Sequence, residues 1–396
     1  MLLVKLFLSL LAMAQAAYST KLLMYLTGQH NIVPETSLAS EITHVALAFM
    51  HSSSFNRNNP SNWPLFTTID AVRAKFSPGI PILVAIGGWG DTQGFSEGAR
   101  TEESRKFFAS NVRKMLDATG ADGVDIDWEY PGGNGDDYKQ TPNSEKAGEI
   151  TAYSKLLAEI RAFIPGKLLS AAVPGLRRDM LAFTKETIPL IEPSVDFFNV
   201  MAYDLMNRRD NVTKHHTGLQ LSLDSINAYL ETGMPPEKLN LGLAYYVKWF
   251  RTVSGDQCAK HPVGCPTVLM EDPSTGADLG KAGAFSWIDR VPSELSASFE
   301  KAKANGIYDT VGGGYYFWDE EESIFWSWDT SDAIKRKFPS ILREKNLGGV
   351  FAWGLGEDAP DFTHLEATIE ALREYPAEEP QRQRASRKCK SKMDEL

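Results

Sequence analysis

Eight short apolar segments, rich in β-branched residues, recur along the chain, and helical patterns separate most of them. They lie at 21–27, 43–50, 81–89, 123–129, 168–174, 195–204, 239–246 and 348–354. Strands that are apolar almost throughout are typical of a parallel sheet covered by helices. Eight such units within about 360 residues predict an α/β fold, a (β/α)8 TIM barrel. A doubly wound open sheet is the alternative, but no glycine-rich phosphate turn follows the first segment.

One interval is too long for a single helix. Residues 247–330, which follow the seventh segment, contain a cysteine pair, the amphipathic stretch SELSASFEKAKANG and the aromatic cluster GGGYYFWDEEESIFWSWDT. We predict a small α+β insertion in the loop after strand 7, with a core that includes Trp318, Trp326 and Trp328. Loops that follow barrel strands lie at the catalytic face, so the insertion should wall a groove there.

The two ends of the chain differ from its centre. Residues 1–17 combine one lysine, a short apolar run and small residues, which predicts a signal peptide, since a membrane anchor needs about 20 apolar residues. We assign residues 18–375 to the barrel domain and residues 376–396 to a disordered basic tail. The tail ends in MDEL, which differs at one position from the ER-retention signal KDEL. We therefore expect a secreted protein that is partly retained in the ER lumen.

The net charge of the chain limits the kinds of partner that it can bind. The net charge of -10 and the absence of a basic stripe argue against nucleic acid and anionic membranes as partners. We expect a monomer without a membrane span.

Cys258 and Cys265 flank a turn-rich link and should form a disulfide, although a zinc pair with His261 is the alternative. Cys389 is left unpaired, and Asn211 begins the one N-x-S/T sequon, a candidate glycosylation site.

The segment DGVDIDWEYPGG, residues 122–133, places four acids in an otherwise apolar run. Because side chains alternate along a strand, Asp125, Asp127 and Glu129 share one face, and the opposite face is apolar. Three carboxyl groups in a desolvated barrel cannot all ionise, so one of them keeps a proton near neutral pH. Glu129 is nearest the mouth and is the natural proton donor. A solvated edge strand and a magnesium or calcium site are the alternatives.

The same segment resembles the D-x-x-D-x-D-x-E signature of the family 18 glycoside hydrolases, the chitinases. Five further segments, THVALAFM, AIGGW, VMAYD, LGLAYY and GGVFAWG, are similar to strands of that family and occur in the same order. The resemblance covers nearly the whole chain after residue 17. It implies a TIM barrel that hydrolyses N-acetylglucosamine polymers.

The resemblance also implies roles for individual residues. Glu129 would be the general acid and base, and Asp127 would hold the acetamido group of the substrate. Asp125 would lie beneath Asp127 and share a proton with it, and Tyr203 would donate a hydrogen bond to the acetamido oxygen. The rest of the predicted pocket comprises the floor residue Trp353 with Phe49, Met201, Asp204, Tyr245 and Trp89.

In this family the acetamido oxygen of the substrate is itself the nucleophile, so no second catalytic carboxylate is needed. The predicted activity is a retaining, substrate-assisted chitinase without metal or cofactor, acting on chitin or chitooligosaccharides. An endo-β-N-acetylglucosaminidase on N-glycans and a non-hydrolytic chitin-binding lectin are the alternatives. Lectin relatives commonly lose the acid, whereas this chain keeps Glu129.

The chain also departs from the family pattern. Ala85 stands where the family usually has serine, which removes a hydroxyl expected near Asp125; Tyr25 is a candidate substitute. After strand 7 the chain has Ala244 and YYVKW where many relatives have proline and a Y-G-R turn. Trp249, just beyond that strand, is a further candidate for stacking on sugars.

Overall fold

The computed structural model describes residues 20–375 apart from Asn59 and Ser61. Its centre is a closed barrel of eight parallel strands, which confirms the predicted TIM barrel and excludes the open sheet. The signal peptide, Cys389 and the MDEL sequence lie outside the described residues. Around the barrel the strands follow one another in chain order. They are β1 (Lys21–Thr27), β2 (His44–Met50), β3 (Ile82–Gly87), β4 (Gly123–Asp127), β5 (Leu168–Pro174), β6 (Phe197–Met201), β7 (Leu239–Ala244) and β13 (Gly349–Trp353).

Helices cover the outer face of the barrel and the insertion. No helix in the described part of the chain is long and apolar enough to cross a membrane. The α-helices are α1 (Thr36–Ala39), α2 (Ile69–Arg73), α3 (Gln93–Ala99), α4 (Glu102–Thr119), α5 (Asn143–Phe163), α6 (Ile188–Ile191), α7 (Leu219–Glu231), α8 (Asp256–Lys260), α9 (Ser293–Asn305), α10 (Ser331–Lys337) and α11 (Thr363–Glu374). Short 3-10 segments are Ser52–Asn56, Arg177–Asp179, Glu192–Ser194, Pro236–Lys238 and Leu355–Glu357, and Phe338–Arg343 is π-helical.

Local signals explain where helix α4 begins and ends. Thr101 caps its first turn by accepting a hydrogen bond from the backbone of Ser104, and the Ser104 side chain accepts one from the Thr101 backbone. This reciprocal cap satisfies amides that lack an intrahelical partner. Gly120 ends the helix with a φ of 75°, a left-handed conformation that glycine adopts at low cost.

Two apolar layers hold the barrel together. The larger lies between strands and helices, and there Trp128 stacks on Phe95 with ring centroids 5.3 Å apart. Removing a large side chain of this kind from water contributes about 1.5–3 kcal/mol. The smaller cluster lies inside the barrel and contains Tyr25, Phe351 and Met201. Polar groups share this interior, so the barrel can hold reactive side chains on a rigid frame.

The insertion after β7 is a five-stranded antiparallel sheet. Its strands, in the order β10-β11-β12-β8-β9, are β8 (Tyr246–Arg251), β9 (Ala282–Ser286), β10 (Ile307–Tyr308), β11 (Tyr315–Asp319) and β12 (Ile324–Trp328). Trp326 and Trp328 are buried in its apolar core, and Trp318 is partly buried in an adjoining cluster. The predicted packing role of these three tryptophans is therefore confirmed.

A disulfide within the insertion and an ion pair at its end stabilise the insertion. Cys258 and Cys265 are joined by a disulfide with their Cα atoms 4.8 Å apart. Lys337 is completely buried on α10, where it pairs with Asp329 at 2.5 Å and donates to Thr217. Asp329 directly follows β12. Removing one partner of a buried ion pair costs about 3–5 kcal/mol, because it strands the other charge. This contact therefore anchors the end of the insertion to the barrel helices.

Candidate active site

Strand β4 places the acids of the motif at the centre of the barrel. Val124, Ile126 and Trp128 belong to the outer apolar layer, as the alternation of side chains predicts. Asp125 and Asp127 point inward from the same strand, and Glu129 follows at its carboxyl end; all three are buried. The fourth acid of the motif, Asp122, lies at the other end of the strand.

Asp122 has a structural environment. Its carboxylate pairs with Arg73 at 2.8 Å and accepts a hydrogen bond from the backbone of Ile82 at 2.9 Å. Ile82 begins β3, so the contact helps to set the register between β3 and β4. Asp122 therefore supports the barrel rather than the cavity.

Three donors surround the deepest carboxylate. Asp125 accepts hydrogen bonds from the hydroxyl groups of Tyr25 and Ser170, both at 2.6 Å, and from Asn199 Nδ2 at 3.1 Å. The hydroxyl that Ala85 cannot supply therefore comes from β1 and β5. Burial raises the pKa of Asp125, although the three hydrogen bonds favour its charged form. Among the described side chains, these donors leave Asp125 without a hydrogen bond to Asp127.

Asp127 is buried above Asp125, and its Oδ1 atom has no hydrogen-bond partner in the described structure. Burial raises its pKa well above the usual range, and the neighbouring Glu129 and Asp125 raise it further. Tyr203 lines the same space after β6 and packs against Phe351. An unpartnered buried carboxylate oxygen is costly, so this atom is poised for a donor brought by a ligand.

Glu129 lies higher in the cavity than the two aspartates. Burial raises its pKa to about 7, a hydrogen bond from Tyr130 works against this rise, and the charges of Asp204 and Asp179 add to it. A carboxyl group with a pKa near neutrality keeps its proton in a large fraction of molecules and can give it up in a reaction. Glu129 therefore has the properties of a general acid.

An aromatic floor faces these carboxyl groups. Trp353, at the end of β13, stacks on Phe49 with ring centroids 5.4 Å apart and planes inclined by 17°. Met201 also lines the cavity, which has a volume of about 1000 Å³. Flat aromatic rings offer the apolar faces of sugar rings a large contact area. The predicted positions of Trp353, Phe49 and Met201 in one pocket are found in the structure.

Asp204 is held in the cavity wall by two groups that were not singled out in the sequence. Tyr246 donates a hydrogen bond to its Oδ1 at 2.7 Å, and Lys248 Nζ lies 2.9 Å from the same atom. Burial raises the pKa of Asp204, but neighbouring groups outweigh burial and bring this pKa below its usual range. The charge of Lys248 contributes most among these groups. Asp204 is therefore an anion that faces Glu129.

The prediction that Tyr245 lines the pocket is wrong. Tyr245 is completely buried in the outer apolar layer, where its hydroxyl group is 2.7 Å from Thr368 Oγ1 and its ring packs on His364. The physical reason is strand parity, because Tyr245 continues the outward series of Leu239, Leu241 and Leu243. The neighbouring Tyr246 faces inward and lines the cavity instead.

The rim of the cavity contains Trp89, which follows β3 and is 49% exposed. Its ring meets the edge of Tyr130 at 6.4 Å, and the Arg209 guanidinium lies 5.5 Å from its centroid. Trp249 behaves differently, because it is partly buried against the core of the insertion and does not line the cavity. The prediction that Trp249 stacks on a ligand is therefore not supported.

The remaining predicted sites lie away from the cavity. Asn211 is exposed, while Thr213 of the same sequon is buried and accepts a hydrogen bond from the backbone of Cys265. Among the described residues, no group of three His, Cys, Asp or Glu side chains could hold a metal ion. Glycosylation at Asn211 stays a prediction.

Taken together, the cavity combines a proton donor, a buried carboxyl group with an unpartnered oxygen and a flat apolar floor. Asp127 ends strand β4 and Glu129 follows two residues later, so the backbone limits the separation of the two groups. This arrangement can protonate a leaving oxygen while it stabilises positive charge on a neighbouring group.

Comparison with known proteins follows the same direction. Residues 21–358 match the family described as Glycosyl hydrolases family 18. Endochitinase 1 of Metarhizium robertsii is 28% identical over 300 residues, which cover 72% of this chain and 63% of that protein. Chitotriosidase-1 of Mus musculus is 28% identical over 381 residues, which cover 89% of this chain and 76% of that protein.

Solved structures with the same fold include a chitinase from Rhizomucor miehei, with a TM-score of 0.71, 21% identity and coverage of 89% of this chain and 99% of that chain. A family 18 chitinase from Cycas revoluta, solved in complex with (GlcNAc)4, has a TM-score of 0.68 and 23% identity. It covers 89% of this chain and 99% of that chain.

Proposed function

The chain belongs to the glycosyl hydrolases of family 18, and from this membership we propose that it is a chitinase that hydrolyses β-1,4 bonds between N-acetylglucosamine units. The observation behind this proposal is the pairing of Glu129, with its pKa raised to about 7, with the unpartnered Asp127 oxygen opposite the Trp353 floor. The (GlcNAc)4 bound to the Cycas revoluta chitinase supports the choice of substrate.

In the proposed first step, Glu129 gives its proton to the glycosidic oxygen of the leaving sugar. The acetamido oxygen of the sugar on the non-reducing side attacks the anomeric carbon at the same time, so the C–O bond to the leaving sugar breaks and a cyclic oxazolinium ion forms. The ionised Glu129 then takes a proton from water, whose oxygen attacks the same carbon as the bond from that carbon to the acetamido oxygen breaks and the acetamido group is restored. Two displacements preserve the β-configuration, and Glu129 regains its proton.

Asp127 and Tyr203 would act on the acetamido group. Positive charge develops on the acetamido nitrogen as the oxygen attacks, and the Asp127 carboxylate can accept the N–H hydrogen bond and stabilise that charge. A hydrogen bond from Tyr203 to the acetamido oxygen would orient it towards the anomeric carbon. Asp125 would support Asp127 from below, held by its three donors.

An assay with two substrates tests the proposal. Purified protein should cleave chitotetraose and leave a high-mannose glycopeptide intact, and proton NMR should detect the β-anomer as the first product. Cleavage of the glycopeptide alone would identify an endo-β-N-acetylglucosaminidase. Binding of chitotetraose without any turnover would identify a lectin.

We expect activity to fall as the pH rises through about 7. Glu129 works in its protonated form, and its pKa is raised to about 7, so the working form is depleted above that value. The pH dependence of kcat/KM on chitotetraose measures this limb for the free enzyme. A rate that stays constant from pH 6 to pH 9 would contradict the assignment.

We also propose that the protein enters the secretory pathway and that the terminal MDEL slows its release. Deletion of the last four residues should raise the fraction found in the medium when the protein is expressed in a eukaryotic cell. A variant in which MDEL is replaced by four alanines serves as a control for chain length. Equal secretion of all three proteins would refute retention.

A further inference from the structure

Asp179 is a further buried carboxylate in the catalytic cavity, and the proposed mechanism gives it no contact with the substrate, although its charge helps to raise the pKa of Glu129. It ends the 3-10 segment Arg177–Asp179 that follows β5, and its side chain is 6% exposed. Within the described part of the chain, several buried polar atoms lack a hydrogen-bond partner, but only two of them belong to residues that line the cavity. They are Asp127 Oδ1 and Asp179 Oδ1.

The first of these atoms faces the acetamido group in the proposed mechanism. The second atom, Asp179 Oδ1, also needs a hydrogen-bond donor, since a buried carboxylate oxygen without a donor is costly and such atoms are rare in folded proteins. The other oxygen, Asp179 Oδ2, lies 3.8 Å from Arg178 Nε, and the Asn134 side chain is held beside it by donating a hydrogen bond to the backbone oxygen of Arg178 at 2.7 Å. The protein therefore satisfies one side of Asp179 and leaves the other side open.

Barrel topology indicates which part of the substrate this oxygen meets. Strand β13, which ends in the floor residue Trp353, lies directly across the closed barrel from β4, the strand before Glu129. Asp179 follows β5 and Trp89 follows β3, so both flank the β4 side of the cavity. If the sugar being cut rests on Trp353, these two residues lie beyond the proton donor, where the leaving sugar must sit.

Hydrogen bonds and ring contacts hold the residues around Asp179 in place. Arg209 fixes the loop after β4 by donating to the backbone oxygens of Asn134 at 2.9 Å and Gly135 at 3.0 Å. The same guanidinium stacks on Tyr138, 3.8 Å from the ring centroid, and approaches Trp89. Burial raises the pKa of Asp179, and the charges of Arg178 and Arg209 work against this rise. A fixed carboxyl group beside an exposed tryptophan ring suits a sugar, which offers an apolar face and polar edges.

We propose that Asp179 is a substrate-binding residue that accepts a hydrogen bond from an O–H or N–H group of the leaving sugar. The proposal rests on the chitinase function described above. It implies that the enzyme holds the sugar on the reducing side of the cut by its polar edge as well as by stacking on Trp89. Apart from the effect of its charge on Glu129, Asp179 would then contribute to cleavage only when the leaving group is a sugar.

Substrates with and without a leaving sugar test this role. Asp179→Ala should lower kcat/KM on chitotetraose by about tenfold or more, the size of effect expected when a hydrogen bond to a charged group is lost. On 4-methylumbelliferyl chitobioside, whose leaving group has neither a sugar hydroxyl nor an amide, the same variant should stay within about twofold of the wild type. Both substrates are assayed at a pH well below 7, where Glu129 keeps its proton with or without the Asp179 charge. Asp179→Asn keeps an oxygen acceptor and should recover part of the loss.

Controls separate this role from a structural one. Asp136→Asn changes an exposed aspartate on the neighbouring loop and should leave both substrates unaffected. An equal loss on both substrates, or a wild-type rate on chitotetraose, would overturn the proposal for Asp179. A wild-type protein that cleaves neither substrate would instead refute the chitinase function, and the inference would fall with it. If the proposal holds, a second substrate identifies the donor. The third sugar of chitotetraose is the leaving sugar when dimers are released, and chitotetraose deacetylated at this sugar lacks the amide N–H. A rate as high as on chitotetraose would therefore identify a hydroxyl group as the donor.

Discussion

Glu129→Gln should lower kcat on chitotetraose by about 10²-fold or more while the affinity for the oligosaccharide survives. Glutamine has nearly the same shape as glutamate but cannot transfer a proton, and general acid catalysis contributes about 10²–10⁴-fold to the rate. Steady-state kinetics gives kcat, and isothermal titration calorimetry gives the Kd. A Kd within a few-fold of the wild type would show that the loss belongs to the transition state rather than to substrate binding.

Glu145→Gln is a matched control for this experiment. Glu145 lies exposed in the first turn of α5, where a negative charge favours the helix N-terminus, and it does not line the cavity, so the control should keep wild-type turnover. If Glu129→Gln kept more than a tenth of the wild-type kcat, Glu129 would not be the proton donor. Asp179 and Asp204 would then be the next carboxyl groups to test.

The alternation of residues on β4 made the centre of the site predictable from sequence. A run in which every second residue is acidic and the others are large and apolar has one stable orientation in a barrel that is covered by helices. Trp128 in the outer layer and Asp125 in the interior follow from that rule. The eight apolar segments predicted the barrel by a different rule. Strands that are buried on both faces are apolar almost throughout and need not alternate.

Contacts between distant strands could not be read from the sequence. Tyr25, Ser170 and Asn199 converge on Asp125 from three different strands, at sequence separations of 45 to 100 residues. Each lies at an inward position, but many inward residues do, and only the shear of the closed barrel decides which of them meet. Ala85 pointed to a missing hydroxyl group, and Tyr25, the candidate substitute, does donate to Asp125, but the contacts of Ser170 and Asn199 needed the three-dimensional register.

Two errors of prediction have simple physical causes. Tyr245 was chosen over Tyr246 by resemblance, although the outward series that begins at Leu239 already placed Tyr245 in the outer layer. Asp179 was missed because a short 3-10 segment in a loop has no periodicity that could show which way its side chain points. Loops of a barrel supply much of the specificity of a site, so sequence patterns are least informative where substrates are distinguished.

Asp127→Asn should also reduce kcat on chitotetraose by about 10²-fold or more. Asparagine fills the same volume and can still accept a hydrogen bond, but it is neutral and cannot stabilise the positive charge that develops on the acetamido nitrogen. Loss of one preorganised group that stabilises transition-state charge typically costs about 10²–10³ in kcat. The measurement is steady-state kinetics with calorimetric binding alongside, as for Glu129.

The double variant shows whether Asp127 and Glu129 act in the same step. If the acetamido oxygen attacks while the leaving oxygen is protonated, losing either group disables the same transition state. The second substitution should then cost much less than it does alone, as is found for residues that act as a unit. Multiplied losses in Glu129→Gln with Asp127→Asn would mean independent contributions, and a substrate-assisted attack coupled to proton transfer would be excluded. Wild-type turnover in Asp127→Asn alone would contradict the proposed role of Asp127 in stabilising the charge on the acetamido group.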